Sequence, residues 1–461
     1  MEHNNYLKQV RAHYEEFPYP PFDPELEKQT FTFTNHDLMD SVNYHCFEGK
    51  RDFSKGFRVL IAGGGTGTST ITWAEQLRDT DGEVVYLDMT QTSMDTCKKR
   101  AEIRGLTNIH WVHDSILELP NLELGKFDYI CCTGVLHHLE SPETGLAALK
   151  SVLKDDGAML IMLYAKYGRS AIYGLQDLMA TINQGEEDLQ QHVDNCKTVL
   201  KDISKDNWLN YNKEAFSGDL ASDNGIYDLL LHNQDRAYSV PQLYEYMQGQ
   251  NLQILDLFPQ QQFPAALVYD PATYIKQPEM LQKIQQLSIQ QQQSICEILN
   301  GHITMHECYV APTPSNKPAP NDLELVPSFT IVFGDVHYQQ LQAVLQDEQP
   351  NITLGQQGAG TQLTLQKTPN SPLLLKYVDG KRNLKDIFRK VIGHPSTRKQ
   401  QPKPNNPSLL KEFEYIFKFM NAQNLMYLRD KSVPAYKSIQ SMQVPVCERY
   451  GTSCVTVLKK N

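Results

Sequence analysis

From Phe57 to Ala165 short apolar runs alternate with segments whose apolar residues recur every three or four positions. The runs are "FRVLIAGGG", "GEVVYLDM", "NIHWVHDS", "FDYICCTGVLHHL" and "GAMLIMLYA". Each is short, apolar and bounded by Gly, Asp or Pro, and these runs predict strands. The intervening stretches, among them "SMDTCKKRAEIRG" and "ETGLAALKSVL", carry helical periodicity. Such alternation predicts an α/β fold: a parallel, doubly wound, Rossmann-like sheet with helices on both faces, over 51–165.

After Lys166 the pattern changes. Residues 166–250 read as mainly helical, "NLQILDLF" and "HITMHECYVA" as strands, and the whole 166–310 as a helical insertion facing the substrate. Within it "MLQKIQQLSIQQQQSICEIL" sets Leu281, Ile284, Leu287, Ile295 and Ile298 on one stripe, its glutamines forming a solvated face. The proline-rich "APTPSNKPAPNDLE" (311–324) reads as a linker. Beyond it, "PSFTIVFG" and "TQLTLQ" predict strands, while "NLKDIFRKVIG" and "SLLKEFEYIFKFMNAQNL" predict helices. Together they predict a smaller winged-helix-like α+β domain over 325–440, followed by a tail, 441–461. Residues 1–50 form a polar arm marked by aromatics and prolines.

A length of 461 residues fits two or three domains. No apolar run is long enough to cross a bilayer, and the start lacks the apolar core of a secretory signal. Nine cysteines without a CxxC pair point to a reduced cytoplasmic chain with no structural zinc and no bound metal. A protein delivered to a host cell without an N-terminal signal would look the same. The net charge of −11 is unevenly spread: from Lys367 onward 18 Lys and Arg stand against 6 Asp and Glu, leaving 25 against 48 elsewhere. A basic end draws nucleic acid, an acidic protein or the chain's own acidic body, and a solvated face accounts for it equally well.

Four glycines in five positions, Gly63, Gly64, Gly65 and Gly67, close the first strand. Glycine weakens a strand interior, so the stretch marks a turn with unusual dihedrals or a close ligand approach. A phosphate-binding P-loop needs a Lys followed by Ser or Thr, and none follows. The dinucleotide fingerprint needs Gly or Ala where Thr68 stands. What remains is Gly63-x-Gly65-x-Gly67, a loop on which S-adenosyl-L-methionine can lie against bare backbone. Asp88, before Met89 at the end of the second strand, is placed to accept ribose hydroxyls, as in NAD enzymes, or to cap the next helix. Asp114, before Ser115 after the third strand, is placed for an adenine amino group or a turn.

In this order the glycine loop, Asp88, Asp114, "FDYICCTGVLHHL" and "VLKDDGAMLIMLY" resemble the class I S-adenosylmethionine-dependent methyltransferases over Arg58 to about Ala165. The flanks "HYEEFPYPPF" and "YDLLLHNQDRAYSVPQLYEYM" resemble a bacterial group that includes rickettsial protein-lysine methyltransferases with an added C-terminal regulatory domain. The resemblance implies that S-adenosyl-L-methionine is held by Gly63, Gly64, Gly65, Gly67, Thr68, Asp88, Met89, Asp114 and Ser115. Thr133 and Gly134 then flank the reacting centre. It also implies a protein substrate, lysine favoured, and a homodimer through the added domain. A small-molecule or RNA methyltransferase is the alternative, the basic end favouring RNA and the acidic body disfavouring nucleic acid, and no membrane partner is expected.

Methyl transfer from a sulfonium is an in-line displacement with a neutral leaving group, so positioning matters most, about 7–11 kcal/mol of barrier. A sulfonium favours aromatic faces, which gives Tyr14 and Tyr19 a role in an arm closing over the cofactor, or else a place in ordinary packing. A lysine acceptor must lose a proton, at a cost of about 4–5 kcal/mol at pH 7. The candidates for the acceptor side are His137, His138, His232, Asp235, Arg236 and Tyr238. His137 and His138 follow the fourth strand, on the edge where open sheets bind substrates, one facing the site while the other packs. His306 reads as a core histidine. A SAM-sensing scaffold without catalysis is the competing reading of the same loop.

Overall fold

The apolar runs after Phe57 pack into one sheet whose middle strands are buried on both faces, while the edge strand over Ile109–His113 stays partly exposed; along β5 and β6 nearly every side chain is covered. In the computed structural model the described residues are 11, 14–15, 18–231, 235–259, 268–331, 335–346, 350–355, 362–436, 446–448 and 456–457. Contacts divide the chain into two units. One takes residues up to Leu26, Arg58–Ala74 and Glu83–Thr313; the other takes Glu27–Phe57, Glu75–Gly82 and Pro314 onward.

Strand β1 (Phe31–Phe33) belongs to the second unit. The first unit's sheet is built from β2 (Arg58–Ala62), β3 (Glu83–Asp88), β4 (Ile109–His113), β5 (Phe127–Thr133), β6 (Leu153–Ala165), β7 (Ala237–Tyr238), β8 (Gln253–Pro259) and β9 (Met305–Ala311). Its order is β4-β3-β2-β5-β6-β9-β8, with the two-residue β7 pairing with β6. Neighbours from β4 to β6 run parallel, whereas β9 lies antiparallel between β6 and β8. The sheet is therefore mixed rather than all parallel. β8 and β9, read from sequence as part of an insertion, complete it, because their apolar side chains need neighbours on both sides. From β2 the chain winds outward to β3 and β4, then returns to place β5 on the other side of β2. Such a reversal opens a crevice at the carboxyl ends of β2 and β5, where open α/β sheets bind ligands.

The core of this unit runs through Leu60, Val85, Ile130, Leu149, Ile161 and Val310. Helix Gln91–Arg104 ends on Gly105, whose φ of +63° suits a left-handed C-cap, and Ser141 caps helix Pro142–Ser151 through the Thr144 amide. Helices Ser170–Ile182 and Leu189–Asp202, with the short turns up to Leu231, bury a separate apolar cluster around Ile172, Val193, Cys196 and Leu230. The segment Tyr227–Leu231 is a π-helix, a rare form that concentrates at functional sites.

In the second unit β1 pairs with β14 (Val446–Glu448), β10 (Val326–Phe329) with β13 (Met426–Arg429), and β11 (Asn351–Gly355) with β12 (Gln362–Gln366) and β15 (Thr456–Val457). Helices Leu384–Gly393 and Asn406–Asn421 pack their apolar faces together, Phe413 lying between Phe388 and Phe417. Helix Asp335–Gln346 and strands β11 and β13 had no clear signature in the sequence. Among the described residues no helix is long and apolar enough to cross a membrane.

Phe413 is fully buried. Phe413→Ala is expected to destabilise the second unit by about 3–5 kcal/mol, read as a lower midpoint in urea unfolding of the full chain.

Candidate active site

The glycine loop leaves β2 at the crevice. The amides of Gly63 and Gly64 both donate to the Leu87 carbonyl, at 2.8 and 3.0 Å, which pins the loop to the end of β3. A Cβ added to Gly63 would lie 2.3 Å from Val135 Cγ2, to Gly64 2.2 Å from Tyr86 Cε2, and to Gly67 2.2 Å from Cys97 Sγ. These three glycines therefore make room for the protein's own side chains. Gly65 differs: the nearest atom to its added Cβ is the Tyr19 carbonyl oxygen, at 3.2 Å, and its φ is +50°. The open side of the loop is at Gly65.

Asp88 closes β3 beneath that opening. Its Oδ2 accepts from the Gly65 amide at 2.7 Å, and its Oδ1 accepts from the amide and hydroxyl of Thr90 at 2.9 and 2.7 Å. A carboxylate offers about four acceptor positions, so Oδ2 keeps one for a ligand hydroxyl. Burial raises the Asp88 pKa, and the bonds from Thr90 and Gly65 work against that rise. The Asp114 amide donates to the Asp88 carbonyl at 3.0 Å, and Asp114 Oδ1 accepts from the Ser115 amide at 2.7 Å. Ser115 in turn caps the next turn through the Leu117 amide. Thr133 and Gly134 end β5, where Gly134 takes a φ of +77°. An open face at Gly65 with acidic groups at the ends of β3 and β4 fits an adenosyl ligand.

The N-terminal arm lies along this edge. Glu15 accepts from the amides of Gln91 and Thr92, at 2.8 and 3.0 Å, and from the Thr92 hydroxyl at 2.7 Å, so it caps helix Gln91–Arg104 from outside. Burial opposes its ionisation, but those bonds outweigh it and hold the carboxyl below its ordinary range. Further on, Thr66 donates to the Pro20 carbonyl and Asn224 to the Pro18 carbonyl. Phe22 packs under the guanidinium of Arg100, which is 3.7 Å from the ring centre and fully buried.

Two arm tyrosines reach an acidic and aromatic cluster. The Tyr14 hydroxyl donates to Asp228 Oδ1 at 3.0 Å, and Tyr164, near the end of β6, donates to Asp228 Oδ2 at 3.4 Å. Tyr19 donates to Asp219 at 2.6 Å. Arg169 stacks on Tyr164, 3.5 Å from the ring centre, and its Nη2 pairs with Asp235 at 3.4 Å. Gln176 also donates to Asp235, at 3.1 Å. Burial pushes the Asp228 carboxyl up to about 7; the like charge of Asp219 adds to this, while the Tyr14 bond and the Arg169 charge offset part of it.

The structure sorts the residues proposed from sequence. Tyr14, Tyr19, His138 and Asp235 belong to the cluster: His138 meets Tyr14 and Tyr164 edge-on. His137 is fully buried and stacks on Tyr164 at 3.8 Å, so packing accounts for its position. Arg236 is exposed and donates to the Glu140 carbonyl, apart from the cluster. Tyr238 pairs in register with Ala165, one place beyond Tyr164, which turns it to the opposite face of the sheet against Tyr246. Met89 lends its carbonyl to the His113 ring, and Thr68 is buried at the start of its helix. His232 lies outside the described residues. His306 is buried between Tyr269 and Glu297 in the core. Sequence reading missed Glu15, Tyr164, Arg169, Asp219 and Asp228. The one available signal was a lone aspartate inside the apolar "YDLLL".

Comparison with known proteins agrees with this geometry. A methyltransferase-domain family matches residues 60–159. An uncharacterized Synechococcus protein, syc1184_c, is 27% identical over 309 residues, 66% of this chain and 72% of its own. The tRNA 5-carboxymethoxyuridine methyltransferase of Escherichia coli K12 is 30% identical over 112 residues, 24% of this chain and 41% of that enzyme. PKMT2 from Rickettsia typhi, solved in complex with AdoHcy, shares the fold with a TM-score of 0.60 at 16% identity, over 89% of this chain and 77% of that one. The matched stretch spans the glycine loop, Asp88, Asp114 and the end of β5, so residues 60–159 are a methyltransferase domain; the protein is an S-adenosyl-L-methionine-dependent methyltransferase that resembles class I.

Proposed function

We propose that this methyltransferase acts on a protein side-chain nitrogen, with lysine the favoured acceptor. The observation that carries this reading is the charge of the cluster at the carboxyl ends of β5 and β6. Three carboxylates, Asp219, Asp228 and Asp235, face a single guanidinium, Arg169, in a largely buried setting. A buried excess of negative charge favours a cationic guest and repels a carboxylate or phosphate, because low dielectric strengthens both effects. The ring of Tyr14 adds a face on which an ammonium is stabilised by about 0.5–2 kcal/mol, whereas Tyr164 is taken by Arg169 and His137. An enclosed small-molecule amine is the second reading, since the arm covers this edge of the sheet.

In this proposal Gly65, Asp88, Met89, Asp114, Ser115, Thr133 and Gly134 hold the cofactor, which supplies a methyl group on a sulfonium when bound. Gly63, Gly64, Gly67 and Thr68 keep the loop in shape. Asp88 fixes the loop through the Gly65 amide and offers its remaining lone pair to the ligand. Tyr14 and Tyr19 close the arm over the site and exclude water, while His138 lines the acceptor side. We extend the proposal to the second unit, whose helix pair Leu384–Gly393 and Asn406–Asn421, with the β10–β13 ribbon, supports a winged-helix-like regulatory role. A homodimer through that unit, and action in the cytoplasm or in a host cell, belong to the same proposal.

Calorimetric titration with S-adenosyl-L-methionine is expected to show binding that Asp88→Ala weakens about 10–100-fold, the worth of a charged hydrogen bond. Gly65→Arg is expected to abolish it by filling the open side of the loop. For the acceptor, methyl-labelled cofactor with fractionated lysate is expected to leave label in protein as N-methyl-lysine. Label in RNA or only in the small-molecule pool would overturn the lysine reading.

A further inference from the structure

We propose that Asp228 takes the proton from the acceptor ammonium, its carboxylate held between the hydroxyls of Tyr14 and Tyr164. This rests on the amine reading above. The step balances as an ammonium and a carboxylate becoming a neutral amine and a carboxylic acid. No oxidant or co-reactant enters, and the acid returns its proton to solvent as product leaves. The amine nitrogen then carries the free pair that a methyl acceptor requires.

Several independent placements support the assignment. Asp228 sits in the π-helix Tyr227–Leu231, a form that concentrates at functional sites, while its neighbours Leu229 and Leu230 join the apolar cluster. Its two oxygens are contacted from two different elements, the arm (Tyr14) and β6 (Tyr164), at 3.0 and 3.4 Å. Both contacts are donated by hydroxyls, and among the described residues no ion pair is formed by Asp228, unlike Asp235, which pairs with Arg169. A carboxylate held by neutral donors stays available to an incoming cation. Transfer within a buried ammonium–carboxylate pair removes two charges from low dielectric, which favours the neutral products.

Every packed element contributes to its titration. The arm brings Tyr14, and Tyr19 bonded to Asp219; β6 brings Tyr164; helix Ser170–Ile182 brings Tyr173, with Arg169 at its start. The turn Asp219–Ala221 brings Asp219, the irregular residues just before β7 bring Asp235, and the turn after β5 brings His138, edge-on to Tyr14 and Tyr164. Helix Leu189–Asp202 brings only Cys196, whose burial pushes its thiol up to about 11, so it stays neutral. Burial first, then Asp219, raise Asp228 to about 7, while Tyr14 and Arg169 lower it. The carboxylate form therefore appears as pH rises through about 7, well below the ~10.4 at which a free lysine loses its proton.

The test uses the full chain with a lysine-bearing acceptor peptide found by the labelling experiment, and reads two quantities. One is the pH profile of single-turnover transfer; the other is the infrared carboxylic-acid band of the cofactor-free protein. The rate is expected to rise through about pH 7 together with loss of that band. Asp228→Asn should remove both signals and slow transfer about 10²–10⁴-fold. Asp219→Asn should move both to lower pH, and Tyr14→Phe should move both to higher pH. An N-methyl-lysine product whose acid limb survives in Asp228→Asn assigns that limb to another group, His138 included, and overturns this proposal alone. Shifts of Asp219→Asn or Tyr14→Phe in the wrong direction also overturn it. Label recovered in an ester or in RNA overturns the amine reading, and this assignment with it.

Discussion

The bond from the Gly65 amide to the Asp88 carboxylate, 2.7 Å long, ties the first two turns of the sheet to each other. Everything at the crevice takes its position from it. The loop after β2 is held on its other side by the Leu87 carbonyl, so the ends of β2 and β3 move as one body. Asp88 is nearly buried, and an unpaired carboxylate there would carry a heavy desolvation cost. The bonds from Gly65 and Thr90 offset that cost and at the same time aim the remaining lone pair outward. In the proposed cofactor site, structural and binding roles thus share one side chain.

The acidic and aromatic cluster proposed as the acceptor side is assembled differently, from parts far apart in sequence. Tyr14 comes from the arm, Tyr164 from β6, Asp228 from the π-helix and Asp235 from the residues before β7. None of these elements alone makes a polar pocket. Enclosure strengthens each charge, because water no longer screens the carboxylates from one another. Glu15 contributes at a distance: by capping helix Gln91–Arg104 it anchors the arm one position from Tyr14 and three from Pro18, whose carbonyl accepts from Asn224.

How much of this was legible followed from the reach of each signal. Strands β2, β3, β5 and the later part of β6 could be read because burial on both faces leaves an apolar run, and the edge strand β4 because turn residues bound it. The glycine loop and Asp88 could be read because turn geometry and ligand approach restrict residue type locally. The direction of β9 could not, since its antiparallel place is set by β6 and β8 rather than by its own residues. Nor could β1, which pairs with β14 from the far end of the chain. Asp228 was hidden by apolar neighbours and a π-helical turn that no residue pattern announces. The adjacent His137 and His138 drew attention as reactive side chains, yet His137 is taken up by stacking on Tyr164. The expected winged-helix-like character of the second unit rested on helix periodicity, which fixes that helices exist and not how they are arranged.

The tight quarters around Gly63, Gly64 and Gly67 bear on how related sequences ought to be interpreted. Val135, Tyr86 and Cys97 occupy the volume a side chain would need at those three positions. A descendant that had abandoned methylation would still retain those glycines, since mutating them would wreck its own interior. Their persistence in a homologue is thus evidence of an intact scaffold and nothing more. Under the proton transfer proposed for Asp228, loss of the aspartate between two tyrosines would be the earlier sign of an enzyme turned inert.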